Sequence, residues 1–225
     1  MKLTRSAAVF ALSSVMAVGS VCAVELKTTE QKVSYVFGLQ IGQQMAQEGV
    51  ELDVAAFSEA ISDVLNKKMP QLDQNEIQAA LNAYQQERQA KTQAAAAGNQ
   101  KEGDEFLATN KTKPGVKVTP SGLQYKIVTP GTGKHPAATS TVVVNYRGTL
   151  INGTEFDSSY KRGTPATFPV NQVIQGWQEG IPLMKEGAKW ELYIPSDLAY
   201  GPAGTPSGIG PNSTLIFEVE LLEVK

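Results

Sequence analysis

The first hydrophobic pattern after residue 24 has helical spacing. Gly38 and Gly42 lie four positions apart on one face of this segment, where their small size would let another helix approach closely. The pattern therefore predicts a helix with a glycine-notched face. Its apolar positions recur every three or four residues and are Val33, Val36, Phe37, Ile41 and Met45.

The next segment repeats the helical spacing up to about residue 69. Asp53 precedes the first apolar residue and is a typical helix N-cap, while Pro70 predicts the end of the helix. The predicted buried stripe is Phe57, Ile61, Val64 and Leu65. Residues 24–72 together are predicted to form a helical region.

Residues 73–110 predict one long helix, with 73–112 as the connecting segment. Asp73 and Glu76 form a variant of the capping box, and Glu87 can pair with Lys91 one turn later. Beyond Tyr84 the apolar stripe almost disappears, so the segment is either a solvated helical spacer or a disordered linker. A continuous helix of this length would measure about 55 Å.

Two short helices bury little apolar surface alone, and isolated helices of this length are marginally stable. The region 24–72 therefore packs either against a second copy of itself or back on the C-terminal domain. The glycine-notched face favours self-association, so the sequence predicts a homodimer formed through residues 24–72.

Residues 113–225 differ in composition from the region before them, because Pro and Gly become frequent and β-branched residues cluster. Strand patterns occur at 123–127, 141–150, 188–195 and 214–224, and Asn152-Gly153 is a strong hairpin signal. Leu123, Tyr125 and Ile127 alternate with polar residues in the first of these patterns. Between the strands, residues 171–184 have helical spacing, with Asn171 as the expected cap. The prediction is an α+β fold, an antiparallel sheet with one short helix.

The amino terminus predicts a cleaved export signal. Two basic residues precede an apolar stretch rich in Ser, Gly and Ala, and small residues around Cys22 place the cut after Ala23. A membrane anchor and a lipid-modified Cys22 are the alternatives. Cleavage removes the sole cysteine and leaves no thiol chemistry in the mature chain.

Charge and motifs exclude several classes of function. The net charge is −2, with 20 basic and 22 acidic residues, which gives no electrostatic reason to expect a nucleic-acid partner. No metal, nucleotide or redox motif is present, and the single histidine, His135, lies in a Pro-rich loop. We therefore expect no metal and no cofactor. Aromatic residues near bends could line a shallow apolar pocket with few polar groups, although each could equally belong to the core.

The segment from about residue 118 to 225 resembles the FK506-binding-protein (FKBP) family of peptidyl-prolyl cis-trans isomerases. The motifs "FDSS", "VIxGWxEG", "PSxLAYG" and "TLIFxVELL" occur in the family's order and spacing. The whole chain resembles the exported bacterial subgroup, the macrophage infectivity potentiators and periplasmic FKBP-type chaperones. The resemblance implies an FKBP-like sheet wrapped around a short helix, and isomerisation of X–Pro bonds.

The resemblance also implies roles for individual residues. Trp177 would form the pocket floor, Asp157 would face the twisting amide, and Tyr200 would donate to a substrate carbonyl. Asp157 and Arg162 could alternatively form a structural ion pair. The catalytic set is Asp157, Tyr200, Trp177, Phe156 and Tyr146, and the substrate-binding set is Phe168, Val173, Ile174, Phe217, Arg162 and Ile209.

Two functional hypotheses remain open at this point. The first is an exported, dimeric prolyl isomerase that acts on proline-containing, unfolded protein clients and accepts ligands of the FK506 or rapamycin type. The second is a holdase chaperone or surface interaction factor in which the isomerase pocket is secondary. The expected location is the periplasm, with association to the outer membrane or cell surface as an alternative.

Overall fold

The computed structural model describes residues 25–206 and 208–225. The predicted signal segment, residues 1–23, lies outside the described residues. The chain divides into two compact units, residues 1–52 and residues 53–225. In the described residues, no helix combines the length and the apolar character needed to cross a membrane.

The first unit contains helix α1 (Thr29–Gln47). Thr28 caps it through a capping box with Gln31, in which the Thr28 side chain accepts from the Gln31 backbone N–H at 3.2 Å. No residue of α1 is buried in the single chain, and Phe37 is 59% exposed. The predicted helix is confirmed, and its apolar face is left open to solvent.

Helix α2 (Val54–Leu65) begins where the sequence predicts. The carboxylate of Asp53 accepts a hydrogen bond from the backbone N–H of Ala56 at 2.9 Å. The helix ends at Leu65, five residues before Pro70, because the chain turns at Lys67, whose φ is +55°. The prediction that Pro70 ends the helix is therefore wrong.

The predicted buried stripe of α2 is not buried in the single chain. Val64 is 76% exposed and Leu65 is 77% exposed, and Ile61 is also exposed. The buried residue of α2 is instead Asp63, whose carboxylate accepts from Lys68 Nζ at 3.0 Å and from Gln71 Nε2 at 2.8 Å. The helix itself is confirmed, but its apolar stripe is half-buried at Phe57 and exposed beyond it.

Helix α3 (Gln74–Asn110) is continuous over 37 residues. Asp73 and Glu76 form the predicted capping box, and Lys91 Nζ lies 3.0 Å from Glu87 Oε1. Gly98 does not interrupt the helix. The disordered alternative for this segment is therefore wrong.

The C-terminal third of α3 packs on the sheet domain rather than standing free as a solvated spacer. Asn110 is fully buried and donates to Gln124 Oε1 at 3.0 Å, while Gln124 Nε2 donates to the Leu107 carbonyl at 2.9 Å. The ring of Phe106 lies 6.0 Å from that of Tyr193. Only the first two thirds of α3 match the predicted spacer.

The C-terminal domain is built on one antiparallel sheet of seven strands. The spatial order is β1-β2-β6-β7-β3-β4, and β5 also pairs with β3. The predicted hairpin at Asn152-Gly153 is confirmed by the pairing of β3 with β4, and Gly153 has φ +86°. The strands are β1 (Val116–Val118), β2 (Gln124–Pro130), β3 (Thr141–Leu150), β4 (Glu155–Ser158), β5 (Ala166–Pro169), β6 (Ala188–Ile194) and β7 (Leu215–Val224).

Two short helices complete the domain, α4 (Ser159–Arg162) after β4 and α5 (Gln175–Gly180) between β5 and β6. This arrangement confirms the α+β class. In β2 the predicted alternation fades along the strand, because Leu123 just before it is fully buried whereas Ile127 is 36% exposed.

The cap predicted for the short helix is wrong. Asn171 lies in a 3₁₀ turn (Val170–Gln172), and α5 begins only after Ile174, which makes no side-chain capping bond. Val170 is 1% exposed and anchors the turn in the core. Val173 and Ile174 are consequently extended, with ψ of 178° and 152°.

Candidate functional site

A cavity of about 680 Å³ lies between the short helix α5 and the strands β3, β4, β5 and β7. The segment before α5 and the loop after β6 close its other sides. Its lining is mostly aromatic and aliphatic, and Asp157 is the charged member. The lining residues are Tyr146, Phe156, Asp157, Phe168, Gln172, Val173, Ile174, Trp177, Tyr200, Ile209 and Phe217.

Trp177 on α5 is the centre of the aromatic lining. Its indole is 4% exposed and meets three rings edge to face: Tyr146 at 5.4 Å, Phe168 at 5.9 Å and Phe217 at 5.2 Å between centroids. Such edge-to-face contacts stabilise aromatic pairs beyond their buried area. The indole is therefore held in one orientation by neighbours from three different strands.

The close approach of α5 to the sheet depends on Gly176. A Cβ atom at this position would lie only 2.5 Å from Ile194 Cγ2. Any larger residue would push α5 away from β6 and displace the neighbouring Trp177. The glycine in the "GW" pair is therefore a packing requirement of the cavity floor.

Gly148 on β3 creates space for the wall opposite α5. A Cβ atom there would lie 2.6 Å from Phe156 Cζ and 2.7 Å from Phe217 Cε1. The two rings meet edge to face at 5.4 Å over this gap. Gly148 was not among the residues predicted for the site, although a glycine inside a strand often marks a close approach.

Asp157 is held by two hydrogen-bond donors at the cavity rim. The Tyr146 hydroxyl donates to Asp157 Oδ2, and Arg162 Nη1 donates to Asp157 Oδ1. Arg162 Nη2 also donates to the Tyr146 hydroxyl oxygen at 2.6 Å, and the guanidinium carbon lies 5.3 Å from the Tyr146 ring centroid. The three side chains form a closed triangle.

Ser159 anchors this triangle to the strand. Its hydroxyl is fully buried, accepts a hydrogen bond from the Tyr146 backbone N–H at 2.9 Å and donates to Asn145 Oδ1 at 3.2 Å. It therefore ties the start of α4, which carries Arg162, to β3. The two serines after Asp157 are structural: Ser159 in this way, and Ser158 as the N-cap of α4.

The electrostatics keep the Asp157 carboxylate ionised. Burial by itself would raise its pKa, but the hydrogen bonds from Tyr146 and Arg162 and the guanidinium charge outweigh burial, so the pKa lies below the ordinary carboxyl value. Burial, and next the bond to Asp157, raise the pKa of Tyr146. Burial and the Asp157 charge raise the pKa of Tyr200. Both phenols are therefore protonated donors at neutral pH.

Two hydrogen-bond donors at the cavity have no acceptor among the described residues. The first is the Tyr200 hydroxyl, whose side chain is 39% exposed. The backbone N–H of Ile174 precedes α5 and is likewise unengaged within the described residues, while the Ile174 carbonyl accepts from the Trp177 N–H at 2.9 Å. Both groups can donate to a bound ligand.

The structure brings the predicted site residues together. Ten of the eleven line this one cavity, and the eleventh, Arg162, lies behind it as the partner of Asp157 and Tyr146. Gln172 also lines the cavity but was not predicted, because the pattern placed it inside a helix. Its position in the 3₁₀ turn turns it towards the lining.

Two family models match the chain. One, described as the domain amino terminal to FKBP-type peptidyl-prolyl isomerase, matches residues 30–127. The other, described as FKBP-type peptidyl-prolyl cis-trans isomerase, matches residues 132–222. The second match contains every residue that lines the cavity.

Several curated proteins are similar over most of their length. The outer membrane protein MIP of Legionella longbeachae is 42% identical over 229 residues, which covers 100% of this chain and 98% of the relative. The peptidyl-prolyl cis-trans isomerase Mip of Coxiella burnetii is 45% identical over 90% of each chain. The FKBP-type 22 kDa peptidyl-prolyl cis-trans isomerase of Escherichia coli is 46% identical, covering 88% of this chain and 96% of the relative.

A solved structure is similar as well. The crystal structure of FkpA from Escherichia coli aligns with a TM-score of 0.64 at 42% identity, covering 89% of this chain and 99% of FkpA. The sequence identity, the shared domain order and the shared fold agree. The chain belongs to the FKBP-type peptidyl-prolyl cis-trans isomerases, with the family's amino-terminal domain preceding its isomerase domain.

Proposed function

We propose that the cavity binds a proline ring against Trp177 and speeds rotation about the peptide bond that precedes the proline in protein substrates. One observation carries the proposal. A buried indole, in edge-to-face contact with three aromatic rings, lies in the same cavity as an ionised carboxylate, Asp157, that two donors hold in place. The catalytic and substrate-binding residues are those predicted from the sequence.

Rotation about an X–Pro bond needs no covalent step. The barrier of about 18–20 kcal/mol arises because rotation breaks amide resonance. The twisted amide has lost much of the charge separation of the planar amide, so a water-poor aromatic cavity disfavours the planar state relative to the twisted one. In the described residues, the lining contains no Ser, Thr, Cys, His or Lys side chain, which fits a non-covalent mechanism.

Fixed polar groups would select the twisted geometry. The Tyr200 hydroxyl and the Ile174 backbone N–H would each donate to a substrate carbonyl, and Asp157 would face the twisting amide. The triangle with Tyr146 and Arg162 holds the carboxylate before substrate arrives, so little reorganisation is needed in the transition state. Arg162 thus orients Asp157, and the ion pair also holds the loop after β4.

The test is a refolding reaction that is limited by a slow X–Pro bond, together with a tetrapeptide that contains one X–Pro bond. We expect the protein to accelerate both at concentrations far below that of the substrate. A macrolide of the FK506 or rapamycin type should compete, since it would occupy the same aromatic cavity. Unchanged rates in both assays would overturn the proposal.

We also propose that the protein is a homodimer formed through residues 24–72. The apolar face of α1 and the apolar end of α2 are exposed in the single chain, including Phe37 at 59% and Val64 at 76%. A cavity of about 430 Å³ between α2 and the start of α3, lined by apolar groups such as Ala60, Leu72 and Ile77, is also open. A second copy would cover these surfaces and place two isomerase domains at the ends of long helices.

A second candidate function, binding of unfolded clients by the helical region, is favoured by the same exposed apolar side chains. A chain that starts at residue 91 discriminates, because it keeps the part of α3 that packs on the sheet domain. We expect this shorter chain to keep its activity on the tetrapeptide and to lose protection of an unfolded client from aggregation. Equal protection by both chains would remove the helical region from client binding.

The proposed location is the periplasm, reached through the predicted signal at residues 1–23, with an association to the outer membrane as the alternative. One relative bears the name outer membrane protein MIP. Fractionation of cells into periplasm, membrane and cytoplasm tests this location. Recovery of the mature chain from the cytoplasm alone would overturn it.

A further inference from the structure

One wall of the cavity lies on irregular chain rather than on the sheet. Tyr200 and Ile209 belong to the pocket loop, defined here as residues 199–206 and 208–214. Backbone hydrogen bonds close the loop on itself, the shortest from Thr205 N–H to the Ile209 carbonyl at 2.7 Å and from Asn212 N–H to the Gly201 carbonyl at 2.9 Å. Ile209, which is 5% exposed, anchors one side of the loop in the core, and a contact with another element holds the opposite side.

Helix α3 provides this contact through a reciprocal pair of asparagines. Asn99 Nδ2 donates to the Pro211 carbonyl at 2.7 Å, and Asn212 Nδ2 donates to the Ala96 carbonyl at 3.4 Å. Each side chain thus bonds to the backbone of the other element. A Cβ atom on Gly210 would lie 3.0 Å from Asn99 Nδ2, so the loop backbone passes close to the helix.

A second close approach lies one turn further along the helix. Gly103 is buried, and a Cβ atom there would lie 3.3 Å from the Cβ of Thr214 and closer still to its hydroxyl oxygen. Two features of the same helix face, an asparagine and a glycine, are therefore matched to the pocket loop. Both residues lie in the part of α3 that has few apolar residues. A helix that served only as a spacer would need neither of them.

The connection from helix to cavity is short. Asn212 has φ +54°, a left-handed conformation that asparagine tolerates better than most residues. Its side chain bonds to α3, while its backbone N–H bonds to Gly201, which directly follows Tyr200. Two hydrogen bonds made by Asn212 therefore join α3 to Gly201, the residue that follows Tyr200.

We propose that Asn99 and Asn212 are positioning residues for isomerisation, so that the connecting helix completes the active site as well as linking the two regions. They hold the pocket loop where the Tyr200 hydroxyl faces the substrate. This inference rests on the proposed function of the cavity. It assigns to α3 a part in catalysis that its composition does not suggest.

The test compares full-length variants in the tetrapeptide assay. Asn99→Ala removes the donor and keeps the helix, because alanine has the highest helix propensity, and Asn212→Gly keeps the left-handed backbone. We expect each to lower kcat/KM about fivefold, the effect of one lost hydrogen bond. The matched control is Gln100→Ala, since Gln100 is exposed on the same helix and, among the described residues, its side chain bonds to Asp104 of α3 and not to the pocket loop. Its activity should equal that of the wild type.

A double-mutant cycle separates positioning from general loosening. In a Tyr200→Phe background, Asn99→Ala should lower kcat/KM less than twofold further, because the group it positions is gone. Hydrogen exchange at the Asn212 amide should be faster in Asn99→Ala than in Gln100→Ala. Thermal unfolding of all variants is measured. If one asparagine variant fails to fold, the other variant tests the positioning role.

The outcomes that overturn the inference are distinct from failure of the proposed function. Wild-type kcat/KM in Asn99→Ala and Asn212→Gly, alongside a loss in Tyr200→Phe, would overturn only the positioning role. A full fivefold loss from Asn99→Ala in the Tyr200→Phe background would do the same. Wild-type activity in Tyr200→Phe would overturn both the role proposed for Tyr200 and this inference.

Discussion

The hydroxyl of Tyr146 donates a hydrogen bond to the carboxylate of Asp157 across the pairing of β3 with β4. The ring of the same phenol meets the Trp177 indole edge to face, with 5.4 Å between the centroids. Tyr146 therefore connects the apolar floor of the cavity to the one charged group in its lining. The relationship explains why Asp157 is ionised at the edge of an aromatic site.

Removal of the Asp157 charge should impair isomerisation without unfolding the protein. We expect Asp157→Asn to lower kcat/KM on the tetrapeptide about tenfold to a hundredfold, because the preorganised carboxylate is lost. The side chain of Asp157 is 42% exposed, so the thermal unfolding midpoint should change little.

Arg162→Ala is the companion variant for Asp157. It removes the ion pair and leaves the carboxylate in the cavity wall, held by Tyr146 alone. A smaller loss of kcat/KM than in Asp157→Asn supports a direct role for the carboxylate. Equal activity of Asp157→Asn and the wild type would reduce the triangle to a purely structural contact.

Substitution of Trp177 should affect stability as well as activity. Because the indole is 4% exposed and contacts three rings, Trp177→Ala should cost about 3–5 kcal/mol of unfolding free energy. Trp177→Phe keeps an aromatic floor and should retain the fold, with a reduced kcat/KM. Denaturant unfolding measured beside the tetrapeptide assay separates the two effects. A fully active Trp177→Ala variant would be inconsistent with the proposed floor.

Gly148→Ala tests the space between the two phenylalanines. The added methyl group would overlap the rings of Phe156 and Phe217, so we expect a loss of about 1–3 kcal/mol in stability and a lower affinity for macrolide. Gly98→Ala is the control, because no atom lies within 4 Å of the new methyl group and alanine favours the helix. Wild-type stability and affinity in Gly148→Ala would show that the wall moves freely.

The pH dependence of isomerisation should be flat from about pH 5 to about pH 9. The pKa of Asp157 is lowered, and the pKa values of Tyr146 and Tyr200 are raised, so none of these groups titrates in that window. A carboxyl with a lowered pKa stabilises the fold above its unfolded pKa of 3.8, and this contribution is lost as the pH falls through the folded pKa. A bell-shaped kcat/KM profile centred near neutrality would point to a different catalytic group.

The oligomeric state should depend on the exposed face of α1. Phe37→Lys places a charge on that face and should shift sedimentation from dimer towards monomer, while the tetrapeptide activity stays unchanged, because Phe37 does not line the cavity. Val118→Lys on β1 is the matched control, since Val118 is also exposed at 50% but lies in the sheet of the C-terminal domain. A monomeric wild type, or a dimeric Phe37→Lys variant, would argue against an interface at this face.

Local patterns in the sequence predicted the elements well. The strand at 141–150, the cap at Asp53 and the capping box at Asp73 follow from rules that involve only neighbouring residues, and all are present. The N-cap of α5 lies three residues after the predicted Asn171, since burial of Val170 in the core overrides the helical spacing around Asn171. Spacing alone cannot show which of two competing local structures the core selects.

The sequence by itself determined the helical region, the antiparallel strands and, through the resemblance of its motifs, which residues share a site. Only the tertiary structure decided how they meet: that Gly148 makes room for two rings, that Ser159 anchors Tyr146, and that Asn99 holds the pocket loop. The physical reason is the separation along the sequence over which each kind of interaction acts. Spacing and capping act within a few residues, whereas these contacts join positions as much as 112 residues apart, where only close packing brings the atoms together.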